Sequence, residues 1–199
     1  MHRAPTSFAP HAIASIATVL ALAFTSSTTL AQTPLTDSFA RLVDLSATRL
    51  DISQKVALTK WDTNQPIADP PSDPREKEVI AAASDEAKRR GLSSDLASAF
   101  FADQIEASKL IQFALMANWR RTGQAPTDPR ADLQTELRPA LDKLRTQFID
   151  ELIATQRLRE ASDCKTRMAK ATTSYAESRR LMPLQSIALD RGLARVCGD

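Results

Sequence analysis

With 199 residues and a formal net charge of +2, the chain is long enough for one domain with a core but carries little excess charge. Lysine and arginine form no separate run, which argues against nucleic acid or an anionic membrane surface as a partner. Both histidines, His2 and His11, are N-terminal and all four glycines are isolated, so we expect neither a metal, nor a cofactor, nor a histidine-based catalytic site.

The N-terminus has the three parts of a secretory signal peptide. Arg3 precedes the apolar run AIASIATVLALAF, Ala12 to Phe24, and small residues follow at Thr29 and Ala31. The run is short for a membrane span, and an uncleaved anchor is the alternative. We predict removal of residues 1–31, export to the periplasm or the medium, and no stable membrane association of the remaining domain, residues 32–199.

Beyond the signal the apolar periodicity is helical, and no strand-like alternation persists. A proline-rich loop, Asp62 to Pro74, follows the first predicted helix. The helical stretches cover about Thr36 to Trp61, Pro74 to Gly91, Asp95 to Arg121, residues 137–152, Asp163 to Arg180 and Leu184 to Val196. They predict an all-α, single-domain bundle of about six helices.

Two cations of the first helix lie on the face that should meet the core. Arg49 and Lys60 are eleven residues apart, and at about 100° per residue they return to within about 20° of one direction. A buried cation without a partner is unfavourable, so each needs an anion or a set of acceptors. For Arg49, solvent exposure or pairing with an aspartate such as Asp44 or Asp103 is the structural alternative.

The third helix repeats this pattern with neutral polar residues. Ser108 and Gln112 interrupt an otherwise apolar line, and at a spacing of four they are neighbours on one face. Taken singly, they fit polar core residues bonded to each other or to the backbone. Together with Arg49 and Lys60, they predict a polar cavity inside the bundle that binds a compact anionic ligand.

Cys164 and Cys197 are the only cysteines of the sequence. In an exported protein they most simply form one disulfide, which would staple the C-terminal part, about residues 160–199. The chain-entropy model assigns such a loop about 3–4 kcal/mol of stabilisation. A redox role is the alternative, and the absence of a CxxC motif disfavours it.

Three segments carry a resemblance to a known family. ATRLDISQKVALTKW, PIADPPSDPREKEV and FFADQIEASKLIQ, in this order and spacing, resemble the all-helical chorismate mutases. With the export signal, the histidine-free core and the C-terminal cysteines, the chain resembles their secreted subclass. The resemblance covers about Phe39 to Cys197. It implies an all-helical enzyme that converts chorismate to prephenate without a cofactor, and a homodimer is compatible with it.

The resemblance implies roles for the polar residues of the first and third helices. Arg49 would bind a substrate carboxylate, and Lys60 would hydrogen-bond the ether oxygen and contact a carboxylate. Ser108 matches a Ser or Thr that meets a carboxylate, and Gln112 matches a second donor to the ether oxygen. Arg49, Lys60 and Gln112 are thus the expected catalytic residues.

Four further positions are implied by the same resemblance. Arg75, which opens the second helix, would position the substrate, and Glu76 would accept from its hydroxyl group. Val79 stands where several secreted relatives have a polar residue. Arg138 matches an arginine that the secreted subclass supplies from a later helix of the same chain. Its position before Pro139 disfavours helical geometry unless a helix begins there.

The competing hypothesis is a non-catalytic exported helical module that binds a small anionic ligand. It accounts for the signal, the disulfide and the helices, but not for the spacing of Arg49, Lys60, Ser108 and Gln112. A mutase-like sensor that binds a related acid without turnover is a second alternative.

Overall fold

The computed structural model describes residues 38–68 and 74–198. The predicted signal peptide, residues 1–31, lies outside the described residues. All regular secondary structure in the described ranges is helical, as the periodicity predicts. The helices are α1 Ala40–Thr63, α2 Arg75–Arg89, α3 Ser94–Thr122, α4 Arg138–Ala154, α5 Gln156–Glu160, α6 Cys164–Arg179 and α7 Pro183–Gly192, and a π-helical turn, Leu133–Leu137, directly precedes α4.

Local sequence sets where the long helices begin and end. The Ser93 hydroxyl accepts a hydrogen bond from the Leu96 amide at 3.3 Å and caps the start of α3. The same helix ends at Gly123, whose φ of 77° lies in the left-handed region that glycine adopts without steric penalty. Asn64 ends α1 in that region as well, with a φ of 53°. Pro183 begins α7, where its missing amide hydrogen is not needed.

The structure departs from the predicted boundaries at both ends of the domain. The first helix begins at Ala40 rather than at Thr36, which lies outside the described residues. The last helix ends at Gly192 rather than at Val196, because tighter turns carry the chain from Leu193 to the second cysteine. The short helix α5 is missing from the prediction, since five residues are too few to show a helical period.

Helix α3 is central to the bundle and packs against α1, α2 and α7. Three phenylalanines at the centre of the main core, Phe100, Phe101 and Phe148, are each at most 2% exposed. Their rings meet edge to face with centroids 5.1–5.9 Å apart. A smaller core cluster lies further along α1 and α3 and includes Trp119, whose ring centroid is 5.7 Å from that of Trp61. Such aromatic pairs contribute about 0.5–1.5 kcal/mol beyond the area that they bury.

The C-terminal helices are joined by the predicted disulfide. Cys164, the first residue of α6, is bonded to Cys197 beyond the end of α7, with a Cα–Cα distance of 5.8 Å. The pairing inferred from the cysteine count is therefore confirmed. None of the helices in the described ranges combines the length and the apolar character needed to cross a membrane.

Candidate active site

A cavity of about 480 Å³ opens between α1, α2, α3 and the first turns of α4. This volume is typical of small-molecule sites. Apolar side chains such as Ile52, Val56 and Leu141 form part of its wall. All eight positions that the sequence analysis assigns to a substrate lie on its surface, namely Arg49, Lys60, Arg75, Glu76, Val79, Ser108, Gln112 and Arg138.

Arg49 is the most deeply buried cation of the cavity, with 7% of its surface exposed. Its Nε donates to the main-chain carbonyl of Gln104 at 3.4 Å. Asp44 and Asp103, the two aspartates considered as partners, pair with other arginines. No carboxylate within residues 38–68 and 74–198 pairs with Arg49, and burial lowers its pKa to about 10. The guanidinium is therefore protonated at neutral pH and lacks a counter-anion within these ranges.

Ser108 and Gln112 occupy successive turns of α3 and are 7% and 6% exposed. The Ser108 hydroxyl donates to the Gln104 carbonyl at 2.8 Å, the backbone contact that a structural role requires. An anion in the cavity would have to compete with this carbonyl for the Ser108 proton. The Oε1 atom of Gln112 is buried and has no hydrogen-bond partner among the described residues. A buried polar atom without a partner is rare and indicates a position meant for a ligand or a water.

Lys60 reaches the cavity from the last turn of α1. Its Nζ donates to the carbonyls of Pro66 and Ile67, at 2.8 and 3.0 Å, in the loop that follows the helix. Ile67 is itself buried in the smaller core cluster with Trp119. The loop therefore holds the Lys60 ammonium at the cavity wall, and the buried side chain of Ile67 fixes the loop to the core.

The first turn of α2 forms another part of the wall. Arg75 makes an ion pair with Glu78 at 3.6 Å and keeps 36% of its side chain exposed. The Oε2 atom of Glu76 accepts a hydrogen bond from Lys109 Nζ at 3.0 Å. Val79, one turn further on, lines the cavity with an apolar side chain. Arg75 is the first residue of α2, the position that the family resemblance implies.

Arg138 begins α4 and adopts helical φ and ψ angles of −64° and −46° although it precedes Pro139. The proline falls in the first turn of α4, where its missing amide hydrogen is not needed. The Arg138 Nη1 atom donates to Gln134 Oε1 at 2.6 Å, and no carboxylate in the described part of the chain pairs with this guanidinium. In this respect it resembles Arg49.

The cavity wall holds further polar residues that the sequence analysis missed, namely Ser53, Gln65, Lys109, Gln134, Asp142 and Arg145. Arg145 follows Arg138 by seven residues, so both lie on one face of α4, and this spacing is a signal that the sequence contains. The Arg145 Nε atom is bound by Glu86 at 3.0 Å. Lys109 gives no such signal, because a lysine three residues after Glu106 has the spacing of an ordinary surface ion pair.

Comparison with known proteins decides the family. The sequence model of chorismate mutase type II matches residues 40–113. The crystal structure of chorismate mutase from Burkholderia phymatum is 43% identical in sequence, covers 82% of this chain and 98% of its own, and has a TM-score of 0.78. This chain belongs to the chorismate mutase family.

Two further mutases extend the comparison. The chorismate mutase structure from Burkholderia thailandensis is 38% identical, covers 80% of this chain and 98% of its own, and has a TM-score of 0.75. The secreted chorismate mutase of Mycobacterium tuberculosis is 28% identical over 169 residues, which are 84% of this chain and 82% of that protein. The all-helical enzyme that the resemblance implies is thereby confirmed.

The cavity of this mutase carries a strong excess of positive charge. Two acidic residues, Glu76 and Asp142, face six basic residues, namely Arg49, Lys60, Arg75, Lys109, Arg138 and Arg145. Arg75, Lys109 and Arg145 pair with carboxylates. Arg49 and Arg138 contact only neutral groups within the described ranges. The cavity can therefore accommodate a ligand with two negative charges.

Proposed function

We propose that this chorismate mutase converts chorismate to prephenate inside the described cavity, without a covalent intermediate on the protein. In this isomerisation the ether C–O bond breaks while a new C–C bond forms within the same molecule. No proton has to be transferred, so the chain needs no general acid or base. The protein holds the folded, reactive conformer and stabilises the charges that separate in the transition state.

The buried guanidinium of Arg49, which has no counter-anion in the described ranges, is the observation that supports this proposal most strongly. A buried unpaired charge is unfavourable, so a ligand carboxylate would supply what the fold leaves out. Chorismate has two carboxylates, and Arg49 and Arg138 each offer a planar fork that can bind one of them. Ser108, next to Arg49 through the shared Gln104 carbonyl, donates to the carboxylate once its proton turns away from that carbonyl.

Lys60 and Gln112 are the proposed donors to the ether oxygen, where negative charge grows as the C–O bond breaks. A preorganised donor of this kind typically contributes about 3–4 kcal/mol to the transition state. The Gln112 amide supports this role because it is 6% exposed on the cavity wall and its Nε2 group can donate to the ether oxygen. Since an amide does not titrate, the contact is available at any pH.

The first turn of α2 completes the proposed site. Arg75 positions the substrate, and the Glu76 carboxylate accepts a hydrogen bond from the substrate hydroxyl group. Val79 packs against the apolar part of the substrate in place of a polar contact. The location of all three residues on the cavity wall supports this assignment.

The proposal is tested by following the loss of chorismate absorbance and the formation of prephenate with the purified enzyme. Wild type is compared with Lys60→Ala and with Lys55→Ala, an exposed lysine of the same helix that does not line the cavity. We expect turnover by wild type and Lys55→Ala, and a loss of about 10²–10³-fold in kcat for Lys60→Ala. Far-UV circular dichroism of the three proteins controls for folding.

Three outcomes would count against the proposal. Turnover that Lys60→Ala leaves intact would remove Lys60 from the ether oxygen. Absence of turnover in a folded, disulfide-bonded wild type that still binds chorismate would favour the sensor, and absence of both binding and turnover would favour a module for another anion.

Export is also part of the proposal. It is supported by the signal-like sequence of residues 1–31, by the disulfide, which persists in oxidising compartments, and by the similarity to the secreted chorismate mutase of M. tuberculosis. N-terminal sequencing of the protein from periplasm and medium should find a mature chain that starts near Gln32. A chain that retains Met1 and stays with the cytosol would contradict export.

A further inference from the structure

Lys109 is a cavity residue to which neither the sequence pattern nor the proposed mechanism gives a role. It follows Ser108 on α3, and its ammonium lies between two carboxylates, Glu76 Oε2 at 3.0 Å and Glu106 Oε1 at 2.6 Å. We propose that Lys109 is a positioning residue that fixes the Glu76 carboxylate where it accepts a hydrogen bond from the substrate hydroxyl. This inference rests on the proposed function of the cavity.

Burial makes the contact with Glu76 the more consequential of the two. The side chains of Lys109 and Glu76 are 17% and 30% exposed, whereas that of Glu106 is 48% exposed. Lys109 therefore joins α3 to α2 at the cavity wall, and Glu106 holds its ammonium from the solvent side. An ion pair withdrawn from water restricts its members more strongly than an exposed one, which is screened and contributes little.

Charge indicates that Lys109 acts through Glu76 rather than on the substrate. Burial works to lower the lysine pKa, but hydrogen bonds and charges from Glu106 and Glu76 outweigh it and raise the pKa, so the ammonium is protonated. The group of Glu76, Lys109 and Glu106 then has a net charge of −1, which disfavours direct contact with a substrate carboxylate. Arg49 and Arg138 provide better carboxylate sites in the same cavity.

The location of Glu76 is what makes the contact with Lys109 consequential. It is the second residue of α2, directly after Arg75, in a cavity lined by several cations. A carboxylate on a flexible side chain in these surroundings has several alternative cations to pair with. The contact with Lys109 selects one orientation of the Glu76 carboxylate. Because a carboxylate has about four lone-pair sites, Glu76 can accept from Lys109 and also from a substrate hydroxyl group.

A double-mutant cycle tests the inference by steady-state kinetics on chorismate. We expect Lys109→Met to lower kcat/KM about tenfold in wild type but less than twofold in the Glu76→Gln background. The loss should appear mainly as a higher KM, because the hydroxyl takes no part in the bond changes and its contact is similar in ground and transition states. Lys109→Arg, which keeps the charge, should retain activity within about threefold of wild type.

Glu106→Gln is the matched control, since it removes the other carboxylate from the same ammonium and Glu106 does not line the cavity. Its kcat/KM should stay within about twofold of wild type. If Lys109→Met does not fold, as judged by circular dichroism, Lys109→Gln replaces it in the cycle.

Three results would overturn the inference while the proposed isomerisation stands, and the second of them would also remove Glu76 from the proposed substrate contacts. In an active wild type, an unaffected Lys109→Met would leave the ion pair without a functional role, and so would an unaffected Glu76→Gln. An equal loss in both backgrounds would mean that Lys109 touches the substrate itself. A wild type that does not convert chorismate would instead overturn the proposed function and the inference with it.

Discussion

Helix α3 carries two sets of buried polar side chains that differ in how completely they are paired. On the side of α7, Asp103 binds Arg191 and Arg195, and the Gln104 Nε2 atom donates to Gly192 O at 2.8 Å. On the side of the cavity, Ser108 finds only a carbonyl of its own helix, and the Gln112 Oε1 atom has no partner within the described residues. The first set is closed by the fold, whereas the second is open to a ligand.

The two sets meet at one residue, Gln104. Its main-chain carbonyl accepts from Arg49 and Ser108, and its side-chain amide is fixed by Ser46 Oγ at 3.0 Å and by Gly192. A Cβ atom at position 192 would lie 3.0 Å from the Gln104 Nε2 atom, so a larger residue there would require this amide to shift by a few tenths of an ångström. The paired set therefore provides a rigid support for the unpaired one. Buried polar groups that are paired stabilise the fold, and a buried polar atom that lacks a partner on a cavity wall is available to a ligand.

The most direct test of the difference between the two sets is to remove the charge of Arg49, which has no carboxylate partner among the described residues. We expect Arg49→Met to lower kcat/KM about 10³-fold, the scale of a truncated buried charge contact with the substrate. The free energy of unfolding without ligand should be unchanged or higher by about 1 kcal/mol, because an unpaired buried charge is removed. Kinetics and urea unfolding of the same samples provide both numbers.

Arg41→Met is the matched control for Arg49→Met. Arg41 lies on the same helix, its side chain is 52% exposed, and it pairs with Asp44 on the surface. Both its kcat/KM and its stability should stay close to wild type. A large loss of stability in Arg49→Met would show that Arg49 belongs with the paired set after all.

Replacing Gln112 with glutamate tests the cavity side of α3 at the residue whose buried Oε1 atom has no partner among the described residues. We expect wild-type kcat/KM to change little between about pH 5 and pH 8, since an amide donates a hydrogen bond at either pH. At pH 8, Gln112→Glu should be about 10²-fold less active, because a carboxylate cannot donate to the ether oxygen. Activity should recover towards pH 5 as the carboxyl group protonates.

The pH profile of each protein decides this prediction. A steep fall of wild-type activity above pH 5 would contradict the role of the Gln112 amide. Equal activity of Gln112→Glu at both ends of the range would show that residue 112 is not a donor to the reacting oxygen.

The smallest expected effect on kcat/KM comes from the paired set, in which Asp103→Asn removes the carboxylate charge that Arg191 and Arg195 share. Burial works to raise the Asp103 pKa, but hydrogen bonds from Arg195 and Arg191 and their charges outweigh it and lower the pKa below the ordinary value of 3.8. Because the Asp103 pKa is lower in the folded than in the unfolded chain, this carboxylate stabilises the fold at pH values above its unfolded-state pKa. The contribution is lost as the pH falls through the folded-state pKa.

Asp103→Asn should therefore lower the free energy of unfolding by about 2 kcal/mol at neutral pH and reduce its fall on acidification. We expect kcat/KM within about threefold of wild type, because Asp103 does not line the cavity. Asp85→Asn, at an exposed position of α2, is the control for a surface carboxylate. A loss of activity in Asp103→Asn without a loss of stability would mean that the paired set serves the reaction and not the fold.

The polar residues on the cavity side could be predicted from the sequence, and the paired set on the side of α7 could not. Arg49, Ser108 and Gln112 interrupt apolar helix faces, and such interruptions are visible wherever the period is strong. Asp103 and Arg191 are 88 residues apart in sequence, and no local pattern indicates that they meet. The pairing of Lys109 with Glu76 depends in the same way on how α2 packs against α3. Sequence thus locates polar residues on core faces, while long-range packing decides which of them are satisfied.

In this account a dianionic ligand completes the cavity beside Arg49, between α1 and α3. Thermal unfolding with and without prephenate tests this most directly. At about 100 times the dissociation constant, binding should stabilise wild type by about 2.7 kcal/mol and raise its Tm by roughly 5–10 °C. Arg49→Met should unfold at the wild-type temperature or above it without ligand and shift by less than about 2 °C with prephenate. An equal shift in both proteins, or a wild type that prephenate does not stabilise, would contradict the claim.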